Sequence, residues 1–168
     1  MANLAIFLIF PALVAFAGIT DFLSMTISNR LCLLIGIAFI PVAISAGLAP
    51  AAMAGHFACA AMGLTIGFTA FSFGWVGGGD AKLFSMVALW LGWSQIVSYT
   101  VITVLAGGAL AIVYLGLRLV PAGWMQVASQ RVASFSQTEI PYGVALAAAA
   151  LIVYPHSEWW GVLLVAHS

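Results

Sequence analysis

The two aspartates of this 168-residue chain are the side chains best suited to chemistry. Asp21 ends a long uncharged stretch, and Asp80 follows three consecutive glycines, Gly77, Gly78 and Gly79. Two carboxylates that approach closely cannot both ionise, so they share a proton and can activate a water molecule for attack on a peptide carbonyl. The pair predicts aspartic-protease chemistry, provided that the fold brings both side chains together.

Asp80 and Lys82 also have structural interpretations. Asp80 would cap the following helix and pair with Lys82, while the glycines allow close helix packing. Lys82 would act as a salt-bridge partner, as an anchor at the membrane surface, or as a charge that favours ionisation of Asp80. Of these three roles we favour the anchor. Asp21 taken alone fits a helix cap or a solvated charge.

The composition places the chain in a membrane. Hydrophobic residues make up 65% of it and charged residues only 5%, with a mean hydropathy of +1.21. A soluble domain carries about 25% charged residues, so this chain cannot build a water-exposed surface. The four Lys and Arg residues are too few for a nucleic-acid-binding footprint, which excludes nucleic acid as a partner.

The apolar stretches predict an all-α, polytopic membrane protein with about six transmembrane helices in one domain, residues 1–168, without a separate soluble domain. A spanning helix needs about 20 apolar residues. The uncharged interval 83–117 would extend roughly 52 Å as one helix, so we expect a break at Gly92-Trp93-Ser94-Gln95. The predicted spans are 1–20, 31–47, 51–72, about 83–93, the remainder of that interval, and 140–154.

Two further stretches are predicted to lie at the membrane surface. Residues 121–139 carry apolar side chains at helical spacing beside polar ones, which is typical of an interfacial segment or loop. The Trp159-Trp160 pair fits an interfacial belt, and the apolar tail 161–166 is too short to cross alone. The start of the chain, MANLAIFLIF, lacks the positive n-region and the cleavage site of a secretory signal, so we expect it to be a retained membrane segment.

The predicted spans divide the charged residues unequally between the two sides of the membrane. The loops after spans one, three and five carry seven of the eight: Asp21, Arg30, Asp80, Lys82, Arg118, Arg131 and Glu139. Only Glu158 falls on the other side. The positive-inside rule therefore places the charged side in the cytosol, and Asp21 and Asp80 are expected at the same cytosolic boundary.

Other catalytic or metal-binding arrangements are unfavourable. His56 lies inside an apolar span, and His156 and His167 lie toward the side opposite the aspartates. Cys32 and Cys59 form neither a Cys-x-x-Cys pair nor a Cys/His cluster with zinc spacing. We therefore predict no metal site and no Ser/His or Cys/His catalytic site.

Three motifs resemble those of the prepilin peptidases, the type IV leader peptidase family of polytopic aspartic proteases, especially the short forms of Flp/Tad-type pilus systems. The first is Gly77-Gly78-Gly79-Asp80, which matches the Gly-x-Gly-Asp motif and continues Ala81-Lys82-Leu83. The second, Asp21 followed by Thr26-Ile27-Ser28-Asn29, resembles the first-aspartate motif, with Ser28 where proline is usual. The third, Ile140-Pro141-Tyr142-Gly143, is similar to the last-helix motif.

The resemblance implies a function and a site. Asp21 and Asp80 would be the catalytic pair, supported by the glycine loop 77–79 and Lys82. They would cleave the short basic leader of prepilins or pseudopilins at the cytosolic face of the bacterial inner membrane. Longer relatives also methylate the new N terminus and carry a cysteine-paired cytosolic domain, which is missing here. The resemblance therefore implies a peptidase without methyltransferase activity and without a cofactor.

The expected partners are a prepilin or pseudopilin substrate, the lipid bilayer, and pilus or secretion assembly machinery. Two other functions stay open. One is a small proton-coupled transporter subunit, in which Asp21, Asp80 and Lys82 relay protons or bind a cation. The other is a non-catalytic subunit of a secretion or pilus assembly machine. A transport pathway usually places ionisable groups near the midplane, whereas both aspartates are predicted at one boundary.

Overall fold

The described part of the chain is helical and contains no strand, which confirms the all-α prediction. A computed structural model describes residues 2–118 and 140–159, with side chains from residue 8 to 116 and from 140 to 159. The predicted surface segment 121–139 and the tail 161–166 lie outside these residues. The helices are α1 (Ala2–Ser24), α2 (Asn29–Ser45), α3 (Pro50–Ser72), α4 (Gly78–Arg118) and α5 (Tyr142–Val153), followed by a 3-10 turn, Tyr154–His156.

Helix α4 is a hairpin that reverses direction at Gly92. Gly92 has φ 62° and ψ −170°, which is not helical. The rings of Phe84 and Tyr99 stack with centroids 5.2 Å apart, although fifteen residues of straight helix would separate them by about 22 Å. The break predicted at residues 92–95 is therefore confirmed. It divides α4 into an N-terminal arm, 78–91, and a C-terminal arm, 93–118.

Side chains from other helices satisfy the backbone carbonyls beside this reversal, which would otherwise lack hydrogen-bond partners. His56 Nδ1 forms a hydrogen bond with the Leu89 carbonyl at 2.7 Å, and Trp159 Nε1 donates to the Trp90 carbonyl at 2.6 Å. Trp159 is consequently only 1% exposed. The prediction that Trp159 belongs to an interfacial belt is wrong, because its indole is needed inside the fold.

Gly92→Ala is expected to destabilise the protein. The Gly92 conformation is nearly exclusive to glycine and costs other residues about 1–3 kcal/mol, and an added Cβ would lie 2.8 Å from His56 Cε1. Thermal denaturation in detergent should show a lower melting temperature for this variant. The control is Gly108→Ala, because a Cβ at Gly108 meets nothing within 4 Å. Equal melting temperatures would contradict this account of the reversal.

An aromatic cluster ties the helices together away from the aspartates. The ring centroid of Phe10 lies 4.8 Å from that of Trp90 and 4.8 Å from that of Tyr154. The Phe39 ring packs edge-on against Trp90 with centroids 5.7 Å apart. Trp90 Nε1 also donates to the Ile35 carbonyl at 2.9 Å. These contacts join α1, α2, the N-terminal arm of α4 and the turn after α5, so they fix the relative positions of the helices.

The helices have two distinct ends, and the described charged residues follow the predicted division between them. At one end, here called the site end, α1 and α3 finish while α2, α4 and α5 begin; it carries Asp21, Arg30, Asp80 and Lys82. The far end contains the α4 reversal and Glu158. There Gln95 Nε2 donates to the His156 carbonyl at 2.9 Å.

The surface and the helix lengths suit a membrane environment. Leu23, Val97 and Ile112 are each more than 70% exposed, which is unfavourable in water. Two stretches are long and apolar enough to cross a membrane, Pro50–Ser72 and Gly78–Gly116, and the second contains the reversal. The apolar helices Leu8–Ser24, Asn29–Ser45 and Tyr142–His156 are shorter. Six crossings therefore stay a prediction.

Candidate active site

Asp21 and Asp80 line a single cleft of about 250 Å³ at the site end. Asp21 is carried by the last turn of α1 and Asp80 by the first turn of α4. The two carboxylates are close enough to interact electrostatically. The other lining residues come from the connections beside them and from the start of α5: Met25, Thr26, Ile27, Gly77, Gly78, Gly79, Ile140 and Tyr142.

The Asp21 carboxylate is held against the N terminus of α5. The backbone N–H groups of Gly143 and Val144 face it, and the Val144 N–H also donates to the Pro141 carbonyl at 3.1 Å. The residue is 5% exposed, and its Oδ2 has no hydrogen-bond partner among the described residues. Because buried polar atoms are nearly always paired, the orphaned Oδ2 makes Asp21 a candidate functional group. At 5% exposure Asp21 is not a solvated charge.

Asp80 is half-buried and interacts with its own loop. It accepts a hydrogen bond from the backbone N–H of Gly77, just before α4 begins. This part of the helix-capping interpretation is correct, because a carboxylate in the first turn commonly reaches back to such an N–H group. The bond fixes the loop, and Asp80 remains on the wall of the cleft.

The three glycines before Asp80 are required for close contact and not for unusual backbone angles, since none of them has a positive φ. A Cβ at Gly77 would lie 2.9 Å from Asp80 Oδ2. A Cβ at Gly79 would lie 3.2 Å from the Ile27 Cβ. Gly78 and Gly79 also belong to α4, which begins five residues earlier than predicted.

Lys82 connects two helix starts and does not pair with Asp80. Its exposed Nζ donates to Asn29 Oδ1 at 2.8 Å, and Asn29 is the first residue of α2. The salt-bridge interpretation of Lys82 is wrong for this structure, which contains no ion pair between Lys82 and Asp80. The hydrogen bond holds the beginning of α4 beside the beginning of α2.

Sequence reasoning missed two neighbours of the aspartates, Ile27 and Gly143. Ile27 lines the cleft with both aspartates, and Cβ atoms built on Gly79 and Gly143 would both meet its side chain, at 3.2 and 2.8 Å. Both missed residues belong to stretches that resemble family motifs. The motifs were therefore the available signal, but spacing alone did not say what Ile27 and Gly143 touch.

An apolar groove adjoins the cleft at Asp80. It has a volume of about 290 Å³ and lies between α3, both arms of α4 and α5. Asp80 and Tyr142 line both the groove and the cleft. The remaining lining is almost entirely apolar or small: Ile66, Gly67, Ala70, Val76, Ala81, Phe84, Thr100, Thr103, Val104 and Leu146.

Comparison with known proteins assigns the family. The model of the type IV leader peptidase family matches residues 8–112, which is more than half of the chain and includes both aspartates. The chain belongs to the type IV leader peptidase family. No curated protein and no solved structure matches it. Membership in the leader peptidase family indicates a peptidase, and together with the apolar helices it indicates a membrane protein.

Proposed function

We propose that this leader peptidase is a membrane-embedded aspartic endopeptidase that removes the leader of type IV or Flp-type prepilins or pseudopilins. It acts as a single membrane domain at the cytosolic face of the bacterial inner membrane, without methyltransferase activity. The observation that carries the proposal is the shared cleft, which brings together two aspartates that are 59 positions apart in the sequence and both lie within the family match.

The cleft suits general acid–base hydrolysis by a pair of carboxylates. One ionised carboxylate takes a proton from water while the oxygen of that water attacks the peptide carbonyl carbon. The other, protonated carboxylate gives its proton to the carbonyl oxygen. When the tetrahedral intermediate collapses, the carbon–nitrogen bond breaks and the leaving amine receives a proton from the pair. Asp21 and Asp80 would supply both groups with no metal or nucleophilic side chain.

The surroundings of Asp80 fit a substrate that is polar on one side of the scissile bond and apolar on the other. The polar cleft at the site end would receive the leader, and the groove between α3, α4 and α5 would receive the apolar segment that follows it. A transporter subunit needs ionisable groups along a membrane pathway, whereas these aspartates lie at the ends of their helices.

Co-expression with a candidate prepilin tests the proposal. A small pilin with a short basic leader should lose the mass of that leader when the wild-type chain is present. The same pilin should keep its full mass with an empty vector. A pilin that keeps its leader in every pairing with small Flp-type prepilins would argue against this substrate class.

Cysteine labelling should place the site end in the cytosol. Trp75 lies between α3 and α4 at the site end and is 75% exposed, while Ala49 precedes α3 at the far end and is also exposed. In a background without Cys32 and Cys59, Trp75→Cys should resist a membrane-impermeant thiol reagent added to whole cells with a permeable outer membrane. Ala49→Cys should react. The reverse labelling pattern would place the aspartates at the periplasmic face and contradict the proposed orientation.

A further inference from the structure

The N terminus of α5 lacks a cap of its own. Its N-cap residue, Pro141, makes no side-chain capping hydrogen bond, although the first turn of any helix presents backbone N–H groups without helical partners. The Val144 N–H donates to the Pro141 carbonyl at 3.1 Å, and the N–H groups of Gly143 and Val144 also face the Asp21 carboxylate. Asp21 on α1 therefore takes the place of a cap on α5, and α5 in turn constrains where that carboxylate lies.

Gly143 is the residue that makes this contact possible. A Cβ at this position would lie 2.7 Å from both Cγ and Oδ2 of Asp21, and 2.8 Å from Ile27 Cδ1. These atoms are the free ends of side chains that can rotate. An added methyl group would consequently displace the carboxylate while leaving the helix backbones where they are.

Gly18 provides an informative contrast on the same pair of helices. A Cβ at Gly18 would lie 2.8 Å from the Ala147 Cβ, so the predicted overlap is as severe as at Gly143. The Ala147 Cβ is fixed to its backbone and cannot rotate away. A methyl group at Gly18 must therefore push α1 and α5 apart, which costs packing free energy.

We propose that the N terminus of α5 positions the Asp21 carboxylate through Gly143, which makes Gly143 a positioning residue of the active site. The catalytic consequence rests on the proposed peptidase function, but the contact itself does not. Positioning and simple packing predict different outcomes, because positioning requires activity to fall while the fold stays intact.

The test compares Gly143→Ala with Gly18→Ala and Gly108→Ala, using purified protein and a short-leader prepilin in detergent. Gly143→Ala should lower kcat by about 100-fold, the effect of misplacing a reacting group by about 1 Å. Its KM should stay within about threefold and its melting temperature near that of wild type. Gly18→Ala should have a lower melting temperature than wild type, and its kcat per folded molecule should fall less than that of Gly143→Ala. Gly108→Ala should resemble wild type in both measurements. A Gly143→Ala protein with normal kcat would overturn the proposal.

A spectroscopic measurement keeps the contact testable even if the substrate class is wrong. Asp21 and Asp80 are the only aspartates, so protein labelled with ¹³C at the aspartate carboxyl carbon gives two signals, assigned with Asp21→Asn. Gly143→Ala should move the Asp21 signal more than the Asp80 signal, and Gly108→Ala should move neither. An unmoved Asp21 signal would refute the positioning role. A wild-type protein that cleaves no prepilin would refute only the proposed function.

Discussion

Asp21→Asn and Asp80→Asn should each lower the rate of leader cleavage by roughly 10³-fold or more, while the protein stays folded and inserted. An amide has the shape of the carboxyl group but cannot cycle a proton. The double variant should lose little beyond either single variant, because two groups that act as a unit show strongly non-additive losses. Multiplicative losses would instead indicate independent roles.

The control for these variants is Glu158→Gln at the far end. Glu158 is exposed and lies outside the cleft, so its neutralisation should leave cleavage unchanged. The wild-type cleavage rate should also show a bell-shaped pH profile. Its acidic and basic limbs report the titration of the coupled pair and not of either aspartate alone. A rate that falls in one direction only would argue against proton sharing.

Gly77→Ala should lower kcat by about 100-fold. The added Cβ would lie 2.9 Å from Asp80 Oδ2, where that carboxylate accepts the Gly77 N–H group. The Asp80 side chain would have to rotate, and its carboxylate would lose its place beside Asp21 in the cleft. Folding should be affected little, because Gly77 is exposed and precedes α4.

Gly78→Ala is the matched control for Gly77→Ala, because Gly78 is the next residue in the same run of glycines. A Cβ at Gly78 would meet the Phe71 ring at 3.3 Å, and no atom of Asp80 is among its nearest contacts. Single-turnover cleavage of one prepilin by both variants separates chemistry from product release. The Gly78 variant should retain most of the wild-type rate. Equal losses in the two variants would show that the loop is sensitive to any side chain and that Asp80 is not specifically displaced.

The sequence predicted those features that depend on charge and chain length. Charged residues are expensive inside a bilayer, so their positions predicted that Asp21 and Asp80 would share one end. The uncharged interval 83–117 would form a helix longer than the thickness of a bilayer, which predicted the break in α4. Gly92 lies within this interval and can adopt the conformation that the break requires. Both features follow from local composition, without knowledge of which helices pack together.

Features that depend on contacts between helices were not predictable in this way. Trp159 was assigned to the membrane surface because its type and position fit an interfacial belt. In the fold it is buried, and its indole N–H donates to the Trp90 carbonyl. For Lys82 the sequence favoured a membrane-surface anchor over a salt bridge, and it did not predict the hydrogen bond to Asn29, 53 positions earlier in the chain. The contact of Gly143 with Asp21 likewise depends on how α5 packs against α1.

Cleavage of a purified prepilin by the purified protein tests the central claim most directly. Wild-type protein in detergent should convert a prepilin into two fragments whose masses together equal that of the substrate plus one water molecule. Asp80→Asn, purified and shown to be folded, should leave the prepilin intact over the same time. Cleavage by Asp80→Asn at a rate near that of wild type would contradict the aspartic-protease account and favour a non-catalytic subunit or a transporter.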